Sequence, residues 1–81
     1  MKISVDEKKF KSIFSKNLRK CRMEKGFTQY DIANMLSIKR CTYTKWETWV
    51  SFPNLAYLFK LSKILKTNMN KFFNGIEWEW G

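Results

Sequence analysis

The chain of 81 residues contains no histidine, and its Asp and Glu residues number seven against 16 Lys and Arg. General acid–base catalysis and zinc binding usually recruit His or grouped carboxylates. The two cysteines, Cys21 and Cys41, are too few for a disulfide scaffold and form no Cys-x-x-Cys pair. The sequence therefore predicts a protein that is not an enzyme, uses no cofactor or metal, and keeps both thiols reduced.

Glycine and proline are also scarce, at three and one residues, so few positions interrupt regular structure. No apolar run approaches the ~18 residues that a membrane-spanning helix needs. The first nine residues lack the apolar stretch of a signal peptide. We therefore expect a cytoplasmic protein without a membrane partner, and the lack of catalytic groups argues against a small-molecule substrate.

What the chain does contain is aromatic residues for a compact core, with seven Phe, four Trp and three Tyr. Apolar residues at spacings of three and four predict an amphipathic first helix. This stripe consists of Phe10, Ile13, Phe14, Leu18 and Cys21. Gly26 is placed to end that helix as a left-handed cap. Thr28 then reads as the N-cap of a second, short helix, with Asp31 as its capping-box partner.

Three more helices are predicted along the rest of the chain. The third runs over about residues 40–48, with Tyr43 and Trp46 pointing inward, a fourth opens at Pro53, and Asn68 caps a fifth. The expected fold class is all-α, a compact five-helix bundle in which helices 2 and 3 form a helix-turn-helix.

The domain limits follow from the same patterns. Residues 10–74 are predicted to form one domain, residues 1–9 an N-terminal extension and residues 75–81 an aromatic tail. In the tail, Ile76, Trp78 and Trp80 alternate with Glu, a period of two that is typical of a short strand or extended segment. We expect this tail to pack on its own domain or on a second subunit.

The formal net charge of +9 favours a polyanionic partner, and the apolar stripes are needed for the core rather than for a membrane surface. Two short helices joined by a turn suit the major groove of DNA, which admits one helix. If Tyr43 and Trp46 point inward, the helical period leaves a second set of side chains exposed together. That set consists of Arg40, Cys41, Thr44 and Lys45. Double-stranded DNA is therefore the expected partner.

Several motifs extend this argument along the chain. They are Leu-Arg-Lys-Cys-Arg-Met-Glu-Lys-Gly-Phe-Thr-Gln at 18–29, Ile-Ala-Asn-Met-Leu at 32–36, Lys-Trp-Glu at 45–47, Pro-Asn-Leu at 53–55, Leu-Ser-Lys-Ile-Leu at 61–65 and Phe-Phe at 72–73. Together they resemble the XRE family, the phage-repressor and Cro type of helix-turn-helix regulators. The resemblance implies a lambda-repressor-like fold and a transcriptional regulator, most simply a repressor. Such regulators often dimerise through the region matching residues 69–73, which would suit a palindromic operator.

The resemblance also implies roles for individual residues. Gln29 matches a position that contacts a phosphate, and Arg22 and Glu47 match an ion pair between helices one and three. The positions that usually touch DNA are Lys39, Arg40, Cys41, Thr42 and Lys45. Arg40 is the best base reader of these, because a guanidinium pairs with both guanine acceptors. The alternative is a protein-interaction module on the same fold without specific DNA binding.

Three positions depart from the family pattern. Ser37 and Trp49 stand where relatives have Gly, which predicts a less relaxed turn before helix three and an altered loop after it. Lys39 replaces the common Ser or Thr at the start of helix three, which removes a cap.

Overall fold

The structure is a computed structural model that describes residues 3–77 and 79–80. Its helices are α1 (Glu7–Glu24), α2 (Gln29–Met35), α3 (Arg40–Glu47), α4 (Leu55–Ile64) and a 3₁₀ helix (Met69–Phe73). Two short strands, β1 (Ile3–Ser4) and β2 (Glu79–Trp80), lie at the two ends of the described chain. The all-helical class is confirmed for the body of the fold.

The prediction of five α-helices is wrong in one element, because the fifth is a 3₁₀ helix of five residues. Asn68 caps it as predicted, since its side chain accepts a hydrogen bond from the Lys71 amide. At the other end, Asn17 of α1 donates to the carbonyl oxygens of Phe72 (3.0 Å) and Asn74 (2.9 Å). These two bonds connect the end of the 3₁₀ helix to α1.

The beginnings of the helices follow from side-chain capping. Thr28 and Asp31 form the predicted capping box, with hydrogen bonds of 3.1 and 2.8 Å, and Asn54 caps α4. Helix α1 begins earlier than its apolar stripe, because Asp6 accepts hydrogen bonds from the amides of Lys8 and Lys9. The first turn of α1 therefore lies within residues 1–9, and the domain boundary at residue 10 stays a prediction.

In the described residues, each of the four α-helices is followed, two positions after its last residue, by a residue with left-handed backbone. These residues are Gly26 (φ 76°), Ser37 (φ 55°), Trp49 (φ 66°) and Lys66 (φ 51°). In every case the next amide donates to a carbonyl five residues earlier. These bonds run from Phe27 to Arg22, Ile38 to Ala33, Val50 to Lys45 and Thr67 to Ser62, at 2.9–3.2 Å. This is the Schellman arrangement. It favours glycine at the left-handed position, and of these four helices only α1 has glycine there.

The core lies where α1 packs against the 3₁₀ helix and α3, and where α2 packs against α3. Its members are Phe14, Leu18, Cys21, Ile32, Ala33, Leu36, Tyr43, Trp46, Leu61, Leu65 and Phe72. The ring of Phe52, in the loop after α3, is 5.3 Å from that of Phe14 and meets it edge-on. Burial raises the pKa of the Cys21 thiol. The packing of these core residues therefore holds α3 against α1.

The tail returns to the start of its own chain. Strands β1 and β2 pair antiparallel, with Ile3 opposite Trp80 and Ser4 opposite Glu79, so residues 79–80 form a short strand with the start of the chain. Trp78, the other tail tryptophan, lies outside the described residues. In the described part of the chain, no helix has the length and apolar character needed to cross a membrane.

Candidate nucleic-acid interface

Helix α3 presents one face to the core and the other to solvent. On the inner face, Tyr43 is 0% exposed and Trp46 is 3% exposed. On the outer face, Arg40, Cys41 and Lys45 are all exposed. The turn that connects α2 to α3 is closed by the bond from the Ile38 amide to the Ala33 carbonyl. The outer face is therefore carried on a helix whose position is fixed.

The structure brings Arg22 of α1 and Glu47 of α3 together. The Arg22 Nε is 2.7 Å from one carboxylate oxygen of Glu47, and an Nη is 3.1 Å from the other. A further guanidinium N–H donates to the Phe27 carbonyl at 2.8 Å. The hydrogen bonds and charge of Glu47 raise the pKa of Arg22. This two-point contact holds a definite angle between α1 and α3, because a bidentate ion pair restricts rotation.

Glu47 also accepts hydrogen bonds from two further side chains. The Tyr43 hydroxyl donates to one carboxylate oxygen, and the Gln29 amide donates to the other at 3.2 Å. The hydroxyl of Thr44 in turn donates to the Gln29 amide oxygen at 2.9 Å. Gln29 is thus held at both ends of its amide group, and one N–H of that amide is left for another acceptor. The network joins α1, α2 and α3.

A second link between α1 and α3 was not anticipated from the sequence. The hydroxyl of Ser15, a residue only 1% exposed, donates to the Trp46 carbonyl at 2.8 Å. A serine within the apolar stripe of a helix is the sequence signal that points to such a bond, because a buried hydroxyl requires a partner.

Two basic residues, Lys39 and Arg40, lie at the start of α3. Lys39 is the N-cap and makes no side-chain capping bond. The guanidinium carbon of Arg40 lies over the ring of Tyr30, 4.9 Å from its centroid. Tyr30 is 61% exposed and was not among the predicted site residues. Contacts between separate helices have no fixed sequence spacing, so the sequence alone gave no signal for this pair.

The predicted DNA-contacting residues fall into two groups. The exposed group consists of Lys39, Arg40, Cys41 and Lys45. Gln29, Thr42 and Thr44 are half-buried, and Gln29 and Thr44 are bonded to each other. All lie on α2, α3 or the residue before α3. In the described residues, no group of three or more Cys, Asp and Glu side chains is arranged to hold a metal ion.

The comparison with known families settles what kind of domain this is. A family model described as Helix-turn-helix matches residues 18–72, which include α2, the turn and α3. The chain belongs to the Helix-turn-helix family. The predicted resemblance to XRE-type regulators is thereby confirmed.

Curated relatives of this Helix-turn-helix protein include two from Bacillus subtilis (strain 168). The HTH-type transcriptional regulator YqaE is 36% identical over 63 residues, which are 78% of this chain and 54% of YqaE. The SPbeta prophage-derived HTH-type transcriptional regulator YonR is 38% identical over 63 residues, 78% of this chain and 58% of YonR. The HTH-type transcriptional activator BcrR of Enterococcus faecalis is 30% identical over 64 residues, 79% of this chain and 31% of BcrR. The chain spans little more than half the length of the first two.

Two solved structures share the fold. A hypothetical transcription factor, NHTF, from Neisseria superimposes with a TM-score of 0.73 at 20% identity, over 86% of this chain and 82% of that one. A transcriptional regulator from Vibrio cholerae superimposes with a TM-score of 0.72 at 24% identity, over 84% of this chain and 38% of that one. At these identities the likeness establishes the architecture of the Helix-turn-helix domain.

Proposed function

We propose that this Helix-turn-helix protein binds double-stranded DNA in a sequence-specific manner, with α3 in the major groove, as a transcriptional regulator. The observation that carries the proposal is the outer face of α3. Arg40, Cys41 and Lys45 are exposed there on a helix that buried Tyr43 and Trp46 anchor. A groove-reading helix needs this combination of fixed position and free polar side chains.

Each exposed residue fits a distinct contact. The guanidinium of Arg40 suits the O6 and N7 acceptors of a guanine, and Lys45 suits a guanine or a phosphate. Cys41 is small and apolar enough to meet a thymine methyl group. The free N–H of the Gln29 amide suits a phosphate oxygen, and Lys39 and Thr42 lie where a backbone contact would orient the domain.

The regulator acts in the cytoplasm as a homodimer on a palindromic operator, with half-sites about 34 Å apart. Repression is the simplest outcome, because a dimer bound across a promoter occludes it. In the region 69–73, Phe72 is buried in its own core, whereas Asn70 and Lys71 are exposed and available for contact with a second copy. Leu55 and Phe59 of α4 are 75% and 51% exposed and one helical turn apart, so their face supports contact with a second copy.

Sedimentation of the purified chain with and without DNA tests the dimer. Leu55→Glu should favour the monomer, because it places a carboxylate on the apolar face while a negative charge suits the first turn of α4. A wild-type chain that remains a monomer on a palindromic duplex would contradict the dimer.

Binding-site selection from a random duplex library tests the DNA-binding function. The wild type should enrich one sequence, and Arg40→Gln/Lys45→Gln should lose that enrichment. Lys16→Gln/Lys20→Gln is the matched control, because it removes two exposed positive charges from α1 instead of α3. The control should bind more weakly to all sequences and keep the same preference. Binding without any enriched sequence in the wild type would favour the protein-interaction module.

A further inference from the structure

Tyr30 lies under the residue of α3 that is best suited to reading a base. The Arg40 guanidinium carbon is 4.9 Å from the centroid of the Tyr30 ring, over its face. Both side chains are exposed, and Tyr30 keeps 61% of its surface accessible. Core packing does not account for an aromatic side chain at this exposed position, on the second residue of α2.

We propose that Tyr30 is a positioning residue that holds Arg40 for the readout of one base pair, an inference that rests on the proposed function. A guanidinium attracts an aromatic ring through its flat face. It donates hydrogen bonds through its edge, in its own plane. The two interactions use different parts of the group, so Arg40 can remain over Tyr30 while its edge meets a guanine.

The benefit of this contact lies in the flexibility of arginine. A free arginine side chain samples many rotamers and loses that freedom when it binds a base. Tyr30 lies on α2. This helix is held in place by the Thr28–Asp31 capping box and by its packing against α3. The ring therefore restricts Arg40 before DNA arrives, and base recognition at that position needs less ordering.

The chain provides a matched comparison for this pair. On α4, the ammonium of Lys60 lies 5.4 Å from the centroid of the Tyr57 ring. That pair has the same chemistry but does not involve α3. Lys60→Gln is therefore the control for Tyr30→Leu, since it breaks a cation–aromatic pair outside α3 and leaves Leu55 and Phe59 of the proposed dimer face in place.

The experiment has one arm without DNA. In the nuclear magnetic resonance spectrum of the free protein, the δ protons of Arg40 should show an upfield ring-current shift. Tyr30→Leu should abolish the shift, and Tyr30→Phe should retain it, because the ring face and not the hydroxyl makes the contact. Equal Arg40 shifts in the wild type and Tyr30→Leu would overturn the proposal.

The second arm measures sequence preference by binding-site selection. Tyr30→Leu should weaken binding to the wild-type site about two- to fivefold, the effect of one exposed cation–π contact. The preference should relax only at the base pair that Arg40→Ala also relaxes. Tyr30→Phe and Lys60→Gln should leave the preference unchanged.

The Arg40→Ala background separates positioning from direct contact with DNA. If Tyr30 acts through Arg40, Tyr30→Leu has no further effect on affinity in that background. A further loss there, or a loss in Tyr30→Phe, would mean that Tyr30 touches the DNA itself and would overturn the proposal. An enriched site whose preference is unchanged in Tyr30→Leu overturns the inference and leaves the proposed function standing. If the wild type enriches no site, the proposed function fails and takes the inference with it.

Discussion

Glu47 connects more of the site than any other single side chain among the described residues. Its carboxylate accepts hydrogen bonds from Arg22, Gln29 and Tyr43, which lie on α1, α2 and α3. The side chain is 2% exposed and that of Arg22 is 12% exposed, so water does little to screen the pair. The position of α3, and with it the direction of its outer face, depends on this carboxylate.

Glu47→Gln should therefore lower the free energy of unfolding by about 3 kcal/mol or more, because it leaves the Arg22 charge without its buried partner. Urea titration measures this loss. Glu24→Gln is the matched control, since Glu24 is exposed near the end of α1 and its replacement should change stability by less than about 0.5 kcal/mol. Equal stability of the two variants would contradict the structural role of the ion pair.

Alkaline pH should destabilise the protein through two buried groups. Burial, followed by the hydrogen bond to Glu47, raises the pKa of Tyr43 far above its ordinary value of 10.0. Burial also raises the pKa of Cys21 above 9.0. In both cases the unfolded chain loses its proton first, so stability is complete below the ordinary pKa and falls as pH rises beyond it.

Urea titrations from pH 8 to 11 test this dependence. The Tyr43 contribution should approach about 1.4 kcal/mol per pH unit above pH ~10. Tyr43→Phe should flatten the decline above pH ~10, and Cys21→Ala should remove the part that begins near pH 9. A wild-type decline that neither substitution alters would show that other groups control it.

At the scale of secondary structure, the sequence predicts where helices begin better than where they end. Thr28 and Asn68 are recognisable as caps, because a short polar side chain bonds to amides in its own turn. The ends of α2, α3 and α4 depend on left-handed backbone at Ser37, Trp49 and Lys66, residue types that do not favour it. These residue types carry no signal for a helix end, so the sequence marks Ser37 and Trp49 only as departures from a family pattern.

The same distinction applies to the site. The outer face of α3 follows from helical period, and the family resemblance supplied the Arg22–Glu47 pair. The bonds between Thr44 and Gln29 and between Ser15 and the Trp46 carbonyl join different helices, so no local spacing encodes them. The bonds from Asn17 to the carbonyls of Phe72 and Asn74 likewise join residues that are 55 and 57 positions apart.

The N-terminus of α3 offers a test in which stability and DNA binding should move in opposite directions. Lys39 has extended backbone at the N-cap but makes no capping bond. Lys39→Ser should raise the free energy of unfolding by about 0.5–1 kcal/mol, because a serine hydroxyl accepts from the free amides. Its affinity for the selected duplex should fall, because a positive charge beside the DNA is lost.

Lys39→Ala is the matched control for that test, since it removes the same charge without supplying a cap. It should bind DNA as weakly as Lys39→Ser and gain none of its stability. Urea titration and fluorescence anisotropy with a labelled duplex measure the two effects. If the serine and alanine variants are equally stable, the absence of a cap is not a weakness of α3. If both keep wild-type affinity, Lys39 does not contact DNA.

For the whole molecule, the net positive charge and the outer face of α3 have separate roles in the proposed function. The net charge of +9 attracts any duplex, whereas α3 reads sequence with a few side chains. Basic residues on α1 such as Lys16 and Arg19 are exposed and add to this field without lying on α3. The charge should therefore govern how strongly the protein binds DNA of any sequence, and α3 should govern which sequence it prefers.

Salt titration separates these two contributions. Raising salt from 50 to 200 mM should weaken binding to a scrambled duplex by about 10³-fold or more if a dimer neutralises six or more phosphates, because bound counterions are released when lysines and arginines replace them. Binding to the selected operator should weaken no more steeply, because base contacts in the groove release few counterions. Fluorescence anisotropy with both duplexes at four salt concentrations gives the two slopes. An affinity for scrambled DNA that does not change with salt would show that the positive charge serves another purpose, whereas a steep slope with no operator preference would leave α3 without a reading function.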